Sequence, residues 1–163
     1  ALHVGIPETN IREALESYRG VKRRFEYIIK TPQRIFIDDY AHHPNELKEC
    51  IRAVKNLYPG KKISGIFQPH LYSRTRDFAK EFAQSLDLLD RVILLDIYPA
   101  REKPITGITS RIIMEKIENS NKSLVAREEL PELIKKEQPE ILLSLGAGDI
   151  DQLVEPLKKV LQA

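Results

Sequence analysis

Four short stretches of this sequence carry side chains whose chemistry exceeds what packing requires. They are Asp38-Asp39-Tyr40-Ala41-His42-His43-Pro44, Gln68-Pro69-His70-Leu71-Tyr72-Ser73-Arg74-Thr75-Arg76-Asp77, Asp96-Ile97-Tyr98-Pro99-Ala100-Arg101-Glu102-Lys103-Pro104 and Gly146-Ala147-Gly148-Asp149. Asp38 and Asp39 can accept hydrogen bonds from a ligand, or serve as turn and cap residues. His42 and His43 are adjacent, so their side chains diverge in most backbone conformations. That argues against a zinc pair, whose ligands must converge. His43 precedes Pro44 and suits a helix cap or packing. The planar fork of Arg74 suits a carboxylate or phosphate; otherwise Arg74, Arg76 and Asp77 form a solvated charged face. Gly146-Ala147-Gly148 is similar to half of a dinucleotide fingerprint, but the strand and acidic residue that complete it are absent. Small residues there let backbone approach a ligand or a neighbouring loop. The sequence holds no Gly-x-x-x-x-Gly-Lys-Ser/Thr loop, no Gly-x-Ser-x-Gly elbow and no zinc signature. It carries recognition chemistry without an obvious catalytic engine.

The elements that must position these stretches read as alternating strands and helices. Pro7 suits a first helical turn, Ile11, Ala14, Leu15 and Tyr18 share one face, and Gly20 can end that helix. A basic stretch, Gly20 to Arg24, follows. Strands are predicted at 34–38, 62–67, 91–96, 123–126 and 140–145. Pro44 opens a helix with Leu47, Cys50, Ile51, Val54 and Leu57 at helical spacing. Phe78, Ala79, Phe82, Ala83 and Leu86 mark another, and Thr109 caps one carrying Ile112, Ile113 and Ile117. A short helix is predicted at 130–136, and Ile150, Val154, Leu157 and Leu161 line a closing one. This order predicts an α/β fold: a mostly parallel sheet with helices on both faces. The four chemical stretches each follow a predicted strand. In a parallel sheet those carboxyl ends share one edge, where ligands of open α/β sheets bind. A boundary is expected near residues 20 to 25.

Composition narrows the classes further. The chain has 163 residues, 42% hydrophobic and 31% charged, enough for one domain with a core. Lys plus Arg is 26 against 24 for Asp plus Glu, a net charge of +2 that gives no reason to expect nucleic acid or an anionic membrane. No apolar run reaches membrane-spanning length, and no secretory signal is read at the amino end. The single cysteine, Cys50, excludes an internal disulfide and fits a reducing compartment. Its place on an apolar helical face reads as a small buried hydrophobe.

Taken together and in order, the four stretches resemble the carboxyl-terminal domain of the Mur ligase family. Gly20-Val21-Lys22-Arg23-Arg24-Phe25 resembles the hinge of the same enzymes. The Asp-Tyr-Ala-His part is common to the family. The double histidine, with the Gln-Pro-His segment and its following arginines, points to the alanine-adding branch. The resemblance implies that residues 1–24 are the last helix of a central ATP-binding domain plus hinge, and that 25–163 are a Rossmann-like carboxyl-terminal domain. It implies an ATP-dependent ligase of peptidoglycan synthesis that adds L-alanine to UDP-N-acetylmuramate through an acyl phosphate. ATP and magnesium would be held mainly by the central domain outside this chain, so the chain alone is not expected to catalyse or to bind metal. A cytoplasmic location and no nucleic-acid or membrane partner go with it. Residue by residue, Asp39 is similar to the family aspartate that holds the ATP ribose, and Arg24 to the hinge arginine that reaches the nucleotide. Tyr40, His42 and Arg74 match positions around the incoming alanine and the new peptide bond, with Arg74 on the carboxylate. Leu71 departs from relatives that carry arginine there. Two other readings stay open: a murein-tripeptide ligase of the same superfamily, and a nucleotide- or amino-acid-binding module without catalysis.

Overall fold

The computed structural model describes residues 2–18 and 20–162. Six strands form one sheet: β1 (Glu26–Lys30), β2 (Ile35–Asp39), β3 (Ile63–Phe67), β4 (Arg91–Leu94), β5 (Lys122–Leu124) and β6 (Ile141–Leu145), in the order β1-β2-β6-β3-β4-β5. Five of them are mutually parallel, and β1 runs antiparallel along β2. The helices are α1 (Glu8–Ser17), α2 (Pro44–Leu57), α3 (Tyr72–Asp77), α4 (Ala79–Leu86), α5 (Arg111–Met114), α6 (Leu130–Glu137) and α7 (Val154–Gln162).

The order of the strands explains the two helical layers. From β2 the chain steps across to β3, β4 and β5 in one direction, then returns to lay β6 between β2 and β3. Parallel crossovers are right-handed, so reversing direction moves the connecting helices to the other face. Accordingly Leu47, Ile51 and Val54 of α2, Phe82 and Leu86 of α4 and Ile113 of α5 pack with Ile37, Phe67 and Leu94. Leu130 and Ile134 of α6 and Leu157 and Leu161 of α7 pack with Phe36, Ile66, Ile93 and Leu142 on the opposite side. Adjacent strand residues therefore feed different layers, and every residue of the central β6 is buried. The α/β sheet with helices on both faces is as the sequence predicts. Cys50 is buried, and that burial pushes its thiol up, as expected of an inert core residue.

Several elements differ from the sequence reading. β1 was not expected as a separate strand. Its Tyr27-Ile28-Ile29 run is framed by Glu26 and Lys30, and its pairing to β2 shifts register after Tyr27, so no regular alternation announces it. α3 falls where no element is predicted, because it is polar along its length; it begins after Leu71 at φ 73. The cap of α5 is displaced by one residue. Ser110 holds the N-cap position and donates its hydroxyl to Leu95 O at 2.6 Å, while the Thr109 hydroxyl accepts the Arg111 amide at 3.3 Å. α1 forms as expected, and its apolar face is open to solvent: Leu15 is 70% and Tyr18 62% exposed. No helix among the described residues is long and apolar enough to cross a membrane.

Candidate functional site

The carboxyl edge of the sheet gathers the residues that the sequence scatters. At the end of β2, alternation sends Asp38 and Asp39 to opposite sides. Asp38 is 1% exposed and pairs with Arg23, whose Nε donates at 3.2 Å. Burial pushes the Asp38 carboxyl up, against the pull of the Ser144 hydroxyl and the Arg23 guanidinium. Arg23 also donates to Gly146 O at 2.6 Å and Gly148 O at 3.4 Å. One arginine thus joins the segment before β1 to the ends of β2 and β6. It achieves this from a left-handed backbone position, φ 58.

Asp39 is engaged on both oxygens. It accepts the Phe25 amide at 2.7 Å and the Ala41 amide at 2.8 Å. A carboxylate has about four acceptor positions, so each oxygen keeps one for another donor. Arg23 O accepts the Tyr40 amide at 2.7 Å. The Tyr40 ring then lies near two guanidinium groups, Arg23 at 5.1 Å and Arg24 at 5.4 Å from its centroid. Arg24 itself is exposed. Asp39, Tyr40 and Arg24 are neighbours.

A second group runs from β2 to α3. The His42 ring is 5.2 Å from Tyr40 and 6.0 Å from His70 between centroids. His43 turns away and meets Phe78 at 5.0 Å, so the two histidines diverge as expected. The carboxylate of Glu46 accepts the amides of His42 and His43 at 2.9 and 3.1 Å, which fixes this turn to the start of α2. His70 stacks on Tyr98 at 5.7 Å, and its Nδ1 is 3.4 Å from Nη1 of Arg74. A guanidinium can only donate, so Nδ1 is the acceptor and the ring proton belongs on Nε2. Burial, Arg74 and His42 all hold the His70 pKa below its ordinary value, which keeps the ring neutral at pH 7. Tyr40, His42 and Arg74 are thereby linked through His70, a residue the sequence reading quoted without a role. Arg76 pairs instead with exposed Asp77 at 2.7 Å.

The turn after β6 supports this edge rather than lining it with chemistry. Gln68 is buried; its Nε2 donates to Asp149 at 2.8 Å, and its Oε1 accepts the Ile150 amide at 3.0 Å. A Cβ on Gly146 would lie 2.9 Å from Gln68 O, and one on Gly148 2.7 Å from Tyr98 Cβ. The glycines therefore admit a neighbouring loop. Arg127 pairs with Asp149 and completes the clamp. Arg23 and Gln68 tie these loops together, and the sequence gives neither of them that role. Only Gln68 left a signal, a polar residue ending an apolar strand.

Among the described residues no group of three or more His, Cys, Asp or Glu is placed to hold a metal ion. A cavity of about 520 Å³ lies at the other, amino-terminal edge of the sheet, lined by Lys62, Asp90, Arg91 and Glu137. Part of its charge is already engaged: Arg91 pairs with Glu137 at 2.8 Å, and Asp90 accepts the Ile63 amide. The carboxyl edge is the better candidate, because Arg24, Tyr40, His42, His70 and Arg74 form one continuous run of contacts there.

An open, mostly parallel sheet with carboxylate, aromatic and guanidinium groups gathered at its carboxyl edge defines an α/β domain of the ligand-recognition type. The model of the Mur ligase, glutamate ligase domain matches residues 23–148, and the chain belongs to that family. It is 52% identical over 157 residues to a UDP-N-acetylmuramate–L-alanine ligase of Parabacteroides distasonis, covering 96% of this chain and 34% of that protein. The solved UDP-N-acetylmuramate–alanine ligase of Thermotoga maritima is 29% identical with a TM-score of 0.77, over 98% of this chain and 34% of that one. A murein peptide ligase from Psychrobacter arcticus shares the fold at 18% identity and a TM-score of 0.70, over 98% of this chain and 34% of that one. The chain spans about a third of the length of the curated relatives it matches.

Proposed function

We propose that this chain is the carboxyl-terminal domain of an ATP-dependent, cytoplasmic ligase that adds L-alanine to UDP-N-acetylmuramate, and that its share of the task is to hold alanine and the nucleoside. The observation that carries the reading is the line Tyr40, His42, His70 and Arg74, with a neutral imidazole accepting from Arg74. That arrangement holds a planar cation, with donors to spare, at the carboxyl edge. An amino-acid carboxylate is its natural partner. The 52% identity to an alanine-adding ligase supports it. ATP, when bound, supplies the phosphoryl group that activates the sugar acid. Asp39 and Arg24 suit its ribose and nucleotide, since Asp39 keeps acceptor capacity and Arg24 is exposed beside Tyr40. Magnesium and the phosphate groups are assigned to the rest of the protein. The murein-tripeptide alternative is weaker, because the segment after β3 resembles the alanine-adding branch. A module without catalysis would lack a phosphate loop upstream.

In the full-length enzyme, Arg74→Ala should raise the KM for L-alanine by about tenfold or more, with KM for UDP-N-acetylmuramate little changed. Arg74→Lys should rescue only part, because an ammonium cannot reproduce a two-pronged contact. Full activity of the lysine variant would remove the guanidinium from the site.

The same reading makes α1 the last helix of a central domain, and its unpacked Leu15 and Tyr18 suit a partner surface. Arg23 and Phe25 are bonded to Asp38, Asp39 and Tyr40. A pivot belongs before Arg23, and Gly20 at φ 84 is the permissive residue there. A full-length enzyme labelled on both domains should shorten its inter-label distance on adding ATP and UDP-sugar, and Arg24→Ala should reduce that shift. An unchanged distance would leave the segment a fixed connector.

A further inference from the structure

Arg74 is carried by α3, and α3 starts without help from its own sequence. The N-cap position is Leu71, at φ 73 and ψ 135, with no side-chain acceptor. The first amides of a helix have no intrahelical partner, and Ser, Thr, Asp or Asn at the N-cap ordinarily supply one. Here the acceptor comes from another loop. Glu102, after β4, accepts the Ser73 amide on Oε2 at 2.9 Å and the Ser73 hydroxyl on Oε1, across 29 residues of sequence. The Ser73 hydroxyl, the Ser73 amide and the Tyr72 amide together hold the Glu102 carboxyl below the ordinary carboxylate range. An ionised carboxylate at a helix start is also favoured by the dipole of the first turn.

The loop that brings Glu102 is itself registered against the α3 loop. Tyr98 donates its amide to Pro69 O at 2.8 Å, and Tyr98 O accepts the Leu71 amide at 3.0 Å. His70 stacks on Tyr98 and receives Arg74. Arg74 is therefore held from two directions: its guanidinium by His70, and the amino end of its helix by Glu102. Both holds come through the β4 loop. Without Glu102, the first turn of α3 would keep a positive-φ Leu71 and exposed amides, and would have little reason to stay formed.

We propose that Glu102 is a positioning residue for the amino-acid site: it fixes the amino end of α3 and, through that helix, the aim of Arg74. This rests on the reading that Arg74 receives the alanine carboxylate. Glu102 touches no substrate in this scheme.

The test is steady-state kinetics of the full-length enzyme, varying each of the three substrates in turn. Glu102→Ala should raise the KM for L-alanine about tenfold while KM for ATP and for UDP-N-acetylmuramate stay within about twofold. Glu102→Gln keeps a carbonyl oxygen for the Ser73 amide and should recover part of the loss. Ser73→Ala removes only the hydroxyl and should move the alanine KM the same way by a smaller factor. In an Arg74→Ala background, Glu102→Ala should add less than about twofold, because a residue acting through Arg74 has nothing left to aim. A rise in all three KM values alike, an unchanged alanine KM, or a full additional factor in the Arg74→Ala background would each overturn the proposal. If Glu102→Ala fails to fold, Glu102→Gln and Ser73→Ala decide by the same readout. If Arg74→Ala alone leaves the alanine KM unchanged, it is the assignment of Arg74 that falls, and with it the target that Glu102 is said to aim.

Discussion

Replacing Arg23 with alanine should destabilise the domain by about 3–5 kcal/mol at pH 7, a larger loss than any exposed charge removal should cause. The reason is what it leaves behind. Asp38 is 1% exposed, and the Arg23 side chain only 19%, so solvent screens the pair little. Without the guanidinium, a buried carboxylate loses its counter-charge, and the carbonyls of Gly146 and Gly148 lose a donor. The sign of the pH dependence follows from Asp38, whose pKa in the folded protein is already raised by burial. A carboxyl with a raised folded pKa favours folding when protonated, and that support is lost as pH rises through the folded value. Removing Arg23 raises that value further. The deficit of the variant should therefore be largest at neutral pH and shrink on acidification toward the ordinary carboxylate range. Urea unfolding of the purified chain at several pH values measures it. Asp38→Asn in the Arg23→Ala background should restore part of the stability, since a neutral amide needs no counter-charge. A cost below about 1 kcal/mol, or a double variant no more stable than the single, would show that the pair is not what holds this edge.

Arg23 also marks where sequence reading stops. Arg23 and Arg24 are adjacent and identical in type, and the family resemblance singles out Arg24. What separates them is backbone: φ 58 at Arg23 turns its side chain onto the sheet, while Arg24 stays exposed. Nothing in residue type announces a left-handed arginine, because that region ordinarily selects glycine. The larger architecture was legible for the opposite reason. Continuous apolar runs such as Val92–Leu95, and amphipathic ones such as Leu47 to Val54, carry their burial in their pattern. From them followed the parallel sheet, and from the sheet the convergence of four stretches on one edge. The position of β6 in the middle of the sheet was beyond that logic, since periodicity says nothing of strand order. Contacts between loops were equally hidden. Glu102 reads as one acid in a charged loop until the fold brings it to Ser73. Gly146 and Gly148 read as room for a ligand or a loop, and only the Cβ positions against Gln68 and Tyr98 decide for the loop.

Asp39→Ala in the full-length enzyme should lower kcat/KM for ATP by at least about tenfold, with a smaller effect on the KM for L-alanine. Hydrogen bonds to a charged acceptor contribute about 1.5–3 kcal/mol each, so the loss of even one ribose contact gives that factor. The structure adds a competing effect. Asp39 already accepts the Phe25 and Ala41 amides, so its removal also loosens the turn after β2. A drop in stability is therefore expected in either case and cannot by itself separate ribose holding from turn holding. ATP analogues lacking one ribose hydroxyl separate them. If Asp39 holds the ribose, removing the recognised hydroxyl should slow the wild-type enzyme by about the same factor as the mutation. The Asp39→Ala enzyme should then be nearly indifferent to that removal, because the two changes delete one shared contact. If Asp39 serves only the Phe25 and Ala41 amides, the analogue should slow both enzymes alike, and the mutation should lower activity toward every substrate together. The experiment is done at a temperature where both proteins are folded by circular dichroism, so that the lost turn contacts do not enter the comparison. Equal sensitivity of the two enzymes to each ribose hydroxyl would return Asp39 to the role its two short amide bonds already describe.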